Sequence, residues 1–171
     1  MRELLPPPTN GGDAVDWSAI QRTAHMAFPS DYREFVELYG GGEIDEYLSV
    51  STPPVPGSAY GDLLDRGDPA LSDRDREELG ALLEGRPVPP LSPFADSASS
   101  DVVFWLREGT PDDWRVAAFR RQTPPGMNRW TVFPGGMASF FAAVLIGEVD
   151  PLSERLSMGG VVHKFVSWRG V

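Results

Sequence analysis

The sequence predicts a single α+β domain in which helices pack on a sheet. The 171 residues are enough for one domain with a sizeable core. Residues 32–39 place their apolar side chains at the i, i+3, i+4, i+7 spacing of an amphipathic helix. Residues 102–106 and 114–119 instead show the alternation of β-strands. Both patterns are present, so the chain is expected to combine α-helices with β-strands.

The chain begins with a stretch rich in proline and glycine. Residues 1–13, which include three consecutive prolines, are predicted to form a flexible N-terminal extension. The domain is then expected to span residues 14–171. A first helix is predicted to begin at Trp17, because Asp16 is placed to cap it and the following apolar residues recur at helical spacing.

The second helix leads into a glycine-rich turn. Ser30 and Asp31 are placed to accept hydrogen bonds from its first turn, which follows Pro29. Gly40 is placed to end the helix with a positive φ angle. Residues 43–50 then alternate apolar and polar positions, and we predict one strand there.

Two further helices are predicted from their caps and their apolar faces. The third follows Ser72, whose hydroxyl is placed to cap it, and carries Leu79 on its apolar face. Residues 86–93 are rich in proline and are expected to be extended. The fourth helix carries Phe140 toward the core and ends at Gly147, so we expect it to cover one face of the sheet.

The second part of the chain has a β pattern. Residues 102–106 are apolar on both faces, which predicts a central strand of a covered sheet. A turn at residues 109–113 and the alternation over residues 114–119 predict a hairpin. Residues 130–133 are expected to form a short strand, and residues 161–168 an edge strand.

Composition excludes several classes of chemistry. The chain has no cysteine, so it has neither disulfides nor thiol catalysis. No run approaches the roughly 18 apolar residues of a membrane-spanning helix, and the N-terminus lacks the apolar segment of a signal peptide. We therefore expect a cytoplasmic protein.

The charge is unevenly distributed. The formal net charge is −10, with −11 in residues 1–100 and +1 in residues 101–171. Such a field repels nucleic acid and anionic membranes and steers a basic protein partner toward the acidic part. Alternatively, the acidity only keeps the protein in solution.

Motifs for known active sites are missing from the sequence. His25 and His163 are too far apart to form a zinc pattern, and Lys164 has no glycine loop ahead of it, so we expect neither a metal nor a cofactor. Gly40–Gly42 follows a helix, which indicates a capping turn rather than a phosphate site. Carboxylates are plentiful, and a general acid and base pair among them is not excluded by sequence.

Several segments together resemble a known family. They are Phe28–Phe35, Tyr39–Gly42, Asp101–Trp105, Trp114–Val116 and Ser139–Gly147. In this order they are similar to the SMI1/KNR4 domains of the SUKH superfamily, over about residues 16 to 148. One departure is Ser100, where the family commonly has glycine.

The resemblance implies an α+β domain with a mainly antiparallel (mixed) sheet flanked by helices. Most bacterial members of the family are thought to be immunity proteins that neutralise polymorphic toxins, often nucleases, whereas fungal members are regulatory scaffolds. It therefore implies a protein-binding domain without catalytic activity, whose partner is a basic toxin domain. A regulatory scaffold and a carboxylate-based hydrolase are the alternatives.

The acidic stretch after the glycine turn is the predicted contact surface. Acidic side chains there would complement a basic toxin, and aromatic side chains would supply buried anchors. The residues predicted to contact the partner are Glu43, Asp45, Glu46, Tyr47, Tyr60, Asp62, Asp65 and Asp68.

Overall fold

The computed structural model describes residues 1–55, 61–153, 156 and 162–169. In these residues it confirms the α+β class, with four α-helices and a seven-stranded sheet. The helices are α1 (Trp17–Ala24), α2 (Ser30–Tyr39), α3 (Asp73–Leu82) and α4 (Met137–Leu145). The strands are β1 (Gly42–Ile44), β2 (Leu48–Val50), β3 (Leu91–Ser97), β4 (Val102–Leu106), β5 (Arg115–Phe119), β6 (Trp130–Phe133) and β7 (Phe165–Ser167).

The strands form one antiparallel sheet in the order β6-β5-β4-β3-β2-β1-β7. Each described pair of neighbouring strands is antiparallel. The predicted hairpin is confirmed, because Val103 pairs with Ala118 in the β4–β5 ladder. The predicted edge strand is confirmed as well, since β7 lies at the edge and Ile44 of β1 pairs with Phe165.

Helices cover both faces of the sheet. Strand alternation directs Trp105 into the larger core, to which α2 and α4 contribute most of their apolar side chains. Phe104 instead joins a smaller core that contains Leu79 and Leu83 from the α3 segment. Both neighbouring residues of β4 are therefore buried, as expected for a central strand of a covered sheet.

Trp105 joins the sheet to α2. Its ring stacks on Phe94 of β3, with ring centroids 4.4 Å apart, and meets the edge of Tyr32 of α2 at 4.8 Å. All three side chains are fully buried. The Tyr32 hydroxyl donates to the Ser51 carbonyl at 2.8 Å, so the aromatic contact and a hydrogen bond both fix α2 on the sheet.

Three helix ends are capped by residues next to the same helix. Within their own helices, Asp16 accepts from the Ala19 N–H at 2.9 Å and Ser72 from the Asp75 N–H at 3.2 Å, which confirms both predicted caps. Gly40 ends α2 with a φ of 72°, as predicted.

The N-terminus of α2 differs from the prediction. Its cap residue is Pro29, which offers no side-chain acceptor, and the Ser30 N–H donates to Asp112 at 2.6 Å. The Asp31 carboxylate instead accepts from the Ala138 N–H of α4 at 2.9 Å. Carboxylates from remote parts of the chain therefore cap both α2 and α4.

The single strand predicted over residues 43–50 is wrong, because the chain reverses within it. The Tyr47 N–H donates to the Ile44 carbonyl at 3.0 Å, and the central residues of this turn, Asp45 and Glu46, have φ angles of 53° and 56°. Positive φ at both positions favours asparagine, aspartate or glycine, so Asp45 fits its position and Glu46 does not. Glu46 at the position where glycine is usual hid the turn, and the apolar–polar alternation continued across it.

The proline-rich region contains a strand that the sequence did not predict as one. β3 begins at Leu91 and includes Pro93, a residue that removes a backbone donor from the ladder. The strand accommodates the proline by a register shift between Pro93 and Ala95. Extended structure was expected there, but its place in the middle of the sheet was not.

The N-terminal segment contacts the domain. Leu5 is fully buried, and its carbonyl accepts from the Tyr39 hydroxyl at 2.6 Å. The Asp13 carboxylate accepts from the Gly41 N–H at 3.0 Å. The flexibility of residues 1–13 stays a prediction, whereas their contacts place Leu5 in the larger core.

Replacing Asp31 by alanine tests the remote cap of α4. We expect Asp31→Ala to lower the free energy of unfolding by about 1 kcal/mol, because the Ala138 N–H loses its acceptor. Asp31→Asn keeps an acceptor oxygen and removes the same charge, so it should lose clearly less. Urea unfolding of both variants measures the difference. Equal losses in the two variants would show that charge, not capping, is what Asp31 contributes.

Candidate functional site

The residues predicted to contact a partner divide between the two ends of the sheet. Tyr60 lies outside the described residues. The β1–β2 turn carries Asp45, Glu46 and Tyr47, and Glu43 lies in β1 just before it. The loop after β2 carries Asp62, Asp65 and Asp68. The turn lies where β3 ends, because the Ala98 N–H donates to the Tyr47 carbonyl at 2.8 Å. Asp68 lies at the other end, where it pairs with Arg107, the residue after β4.

Asp45 holds the chain that leads into β7. One of its carboxylate oxygens lies 2.5 Å from Nδ1 of His163, and the other accepts from the Lys164 N–H at 2.8 Å. Nε2 of His163 lies 3.0 Å from the Leu145 carbonyl. The buried imidazole is therefore held at both of its ring nitrogens, by Asp45 on one side and by the Leu145 carbonyl on the other.

The remaining residues near the turn have different roles. The Tyr47 hydroxyl donates to Asp101 at 3.2 Å, so this side chain also stabilises the fold. Oε1 of Glu43 accepts from the Ser49 hydroxyl at 3.3 Å on the neighbouring strand. Glu46 is exposed and makes no ion pair within the part of the chain that the structure describes.

Asp101 is a buried carboxylate that joins four segments of the chain, including the turn that carries Tyr47. It accepts from the Ser97 hydroxyl at 2.8 Å, from the Arg121 N–H at 2.9 Å, and from the Ser153 N–H and hydroxyl at 2.7 and 2.5 Å. Burial raises the pKa of Asp101, but these hydrogen bonds outweigh burial and leave the pKa below its usual value. An ionised carboxylate with so many donors organises structure rather than transferring protons.

A cleft of about 610 Å³ lies beside the acidic loop. We call it the Trp105 cleft. Its walls come from the chain after α1 with Met26, from the loop over residues 63–68, and from the ends of β3 and β4 with Trp105. Asp65 and Asp68 line the cleft. Asp62 immediately precedes Leu63, which also lines it. The volume is in the range of ligand-binding clefts in proteins.

The walls of the Trp105 cleft combine apolar surface with paired charges. Leu63 and Leu64 supply aliphatic surface. Of the two arginines in the lining, Arg66 pairs with Asp96, and Nη2 of Arg107 donates to both carboxylate oxygens of Asp68 at 2.7 and 2.8 Å. The charged lining residue that remains is Asp65, which is exposed and has no ion pair among the described residues.

Two N–H donors in the lining have no acceptor among the described residues. One is the indole nitrogen of Trp105, a side chain with 0% exposure, and the other is Nε of Arg107. A buried donor without a partner costs on the order of 1–3 kcal/mol. Both nitrogen atoms are themselves buried, so they belong to the packed interior behind the cleft.

Metal centres and membrane-spanning helices are two other features that a protein of this kind could carry. Among them, no group of three histidines, aspartates or glutamates comes together as metal ligands. No described helix has both the length and the apolar character needed to span a bilayer. Comparisons with protein families, with curated proteins and with solved structures find no match to this chain.

The sequence predicted two acidic residues of the Trp105 cleft, Asp65 and Asp68, but not the other residues that line it. Trp105 was interpreted only as a residue of a central strand, and Met26 and Arg107 had no signal that joined them to the acidic loop. The one available signal was the chemistry of indole, since a buried tryptophan usually finds a partner for its N–H. That signal gains meaning only when the surroundings of Trp105 are known.

Asp101 provides a test of structural carboxylates by pH. At pH 7 we expect Asp101→Asn to lower the free energy of unfolding by about 2 kcal/mol, because the amide group turns a donor toward donors. The folded-state pKa of Asp101 lies below the unfolded value, so its stabilisation is present above about pH 4 and is lost as pH falls through the folded pKa. The difference between the two proteins should therefore shrink at low pH.

Urea unfolding at neutral and acidic pH measures this difference. Glu77→Gln, at an exposed position of α3, is the matched control and should have little effect at either pH. A gap between the native protein and Asp101→Asn that stays constant down to acidic pH would contradict the assignment.

Proposed function

We propose that this chain is a protein-binding domain of the immunity type, without catalytic activity, which neutralises a basic toxin domain in the cytoplasm by occluding its active site. The observation that carries the proposal is the exposed carboxylates of Asp62 and Asp65 beside a cleft with aliphatic walls. Acidic rims around apolar contact surfaces suit basic partners.

Long-range electrostatic attraction would speed the association of a basic partner with this surface. The −11 formal charge of residues 1–100 attracts a basic domain over a distance of about one Debye length, ~8 Å at physiological salt. Once the partner is oriented, burial of apolar surface slows its dissociation. The resemblance to SMI1/KNR4 domains supports the same class of function.

The alternatives differ in what they require. A regulatory scaffold would use the same surface on a partner that is not a toxin. A carboxylate-based hydrolase requires a general acid with a raised pKa, whereas the described carboxylates with resolved pKa shifts, Asp75, Asp101 and Asp112, all have lowered values. Each of the three accepts several hydrogen bonds, or caps a helix, within the domain.

Charge reversal in the acidic loop tests the proposed function. We expect the double variant Asp62→Lys with Asp65→Lys to slow association with the cognate toxin domain, to be sought in the neighbouring reading frames, by roughly tenfold at low salt and by less at high salt. Stopped-flow measurements at two ionic strengths would show it, and co-expression should show weaker rescue of growth. Asp68 is left unchanged because it pairs with Arg107.

A control variant separates local from overall charge. Glu77→Lys with Glu84→Lys makes the same change in net charge at exposed positions in and after α3, outside the cleft. Equal slowing by both double variants would show that only net charge matters. Unchanged rescue and association in the acidic-loop variant would overturn the assignment of this surface.

A further inference from the structure

We propose that residues 1–13 and residues 162–169 form a conformational device at one edge of the sheet: they leave the domain and return to it as one unit, and thereby expose or cover β1. We call residues 1–13 the strap and residues 162–169 the β7 segment. The proposal concerns the chain by itself and does not depend on the identity of a partner.

The strap and the β7 segment contact each other at two points. Before β7, the His163 N–H donates to the Leu4 carbonyl at 2.8 Å. After β7, the Arg169 guanidinium pairs with the Asp13 carboxylate. Each segment therefore supplies partners to the other at both ends of the strand, and both contacts are lost when either segment leaves.

Asp13 fixes the strap to the domain. The side chain is 5% exposed, and its carboxylate accepts from the Gly41 N–H at 3.0 Å, where α2 joins β1. Its own N–H donates to the Val36 carbonyl of α2 at 2.9 Å. A carboxylate this buried is costly unless a positive charge compensates it, and Arg169 supplies that charge. The strap is therefore most stable when the β7 segment is in place.

Tyr39 gives the two segments a common support on α2. Its hydroxyl donates to the carbonyl of Leu5, a strap residue that is fully buried, at 2.6 Å. Its ring meets the ring of Phe165 in β7, with the ring centroids 5.3 Å apart. Departure of one segment therefore weakens the packing of the other, because residues that share a partner are energetically coupled.

Each segment alone has few contacts with the domain. β7 has three residues and lies at the edge of the sheet, where β1 is its only partner among the described strands. In the strap, Leu5 and Asp13 are the buried residues. Short elements with few buried apolar contacts open at free energies below that of global unfolding. Once the unit opens, β1 becomes the edge of the sheet and presents its backbone donors and acceptors to solvent.

Native-state hydrogen exchange of the full chain, followed by NMR at low denaturant concentrations, measures this opening. The amides of Asp13 and Gly41 report on the strap, and those of His163 and Trp168 report on the β7 segment. We expect these four amides to share one opening free energy, which is smaller than that of the amides of β4. Different opening free energies for the two pairs, or exchange of all four only by global unfolding, would overturn the proposal.

Two reciprocal variants test whether the segments open together. Leu5→Ala removes contacts of the strap with the larger core and should speed exchange of the Trp168 amide, in the β7 segment, by roughly thirtyfold. Phe165→Leu weakens the contacts of the β7 segment and should speed exchange of the Asp13 amide, in the strap, by roughly fivefold. If the segments opened independently, each variant would affect only the amides of its own segment, and that result would refute the unit.

Leu71→Ala is the matched control. Leu71, just before α3, packs against the smaller core and lies outside the unit. This variant should speed exchange of the β4 amides, which need global unfolding, and leave the four reporting amides unchanged. Equal acceleration of both sets would show that the strap and the β7 segment unfold only with the whole domain.

Discussion

The contact between Trp105 and Tyr32 is the constraint on which the rest of the structure depends. Trp105 lies in an interior strand, and Tyr32 lies in the helix that packs on it. Because the two rings are fully buried, the position of α2 fixes the floor of the Trp105 cleft. Fold and candidate site therefore share the Trp105 side chain.

The acidic composition of the chain has two distinct physical origins. Some carboxylates are structural: Asp31 and Asp112 cap helices remote in sequence, and Asp101 accepts hydrogen bonds from four segments. Others, such as Asp65 and Glu46, are exposed and make no ion pair among the described residues. Net charge counts both kinds equally, so it predicts association and solubility but not the position of an interface.

Local patterns predicted local structure well. The four helices and the β4–β5 hairpin follow from apolar periodicity, and the N-termini of α1 and α3 also follow from caps close in sequence. The reversal at Asp45 was missed because Glu46 occupies a turn position where glycine is usual, and strand β3 was missed because Pro93 interrupts its pattern. The Trp105 cleft could not be predicted, since it joins Met26, residues 63–68 and two strands whose meeting depends on register.

The position of β7 has a consequence for how the domain folds. The strand at the end of the described chain pairs with β1, and the His163 N–H donates to the Leu4 carbonyl at 2.8 Å, so the last contacts of the sheet join distant parts of the chain. Pairings of such high contact order form slowly, because most of the chain entropy is lost before they give any stabilisation. During synthesis, β1 therefore emerges from the ribosome long before its outer neighbour and spends that interval as an unpaired edge.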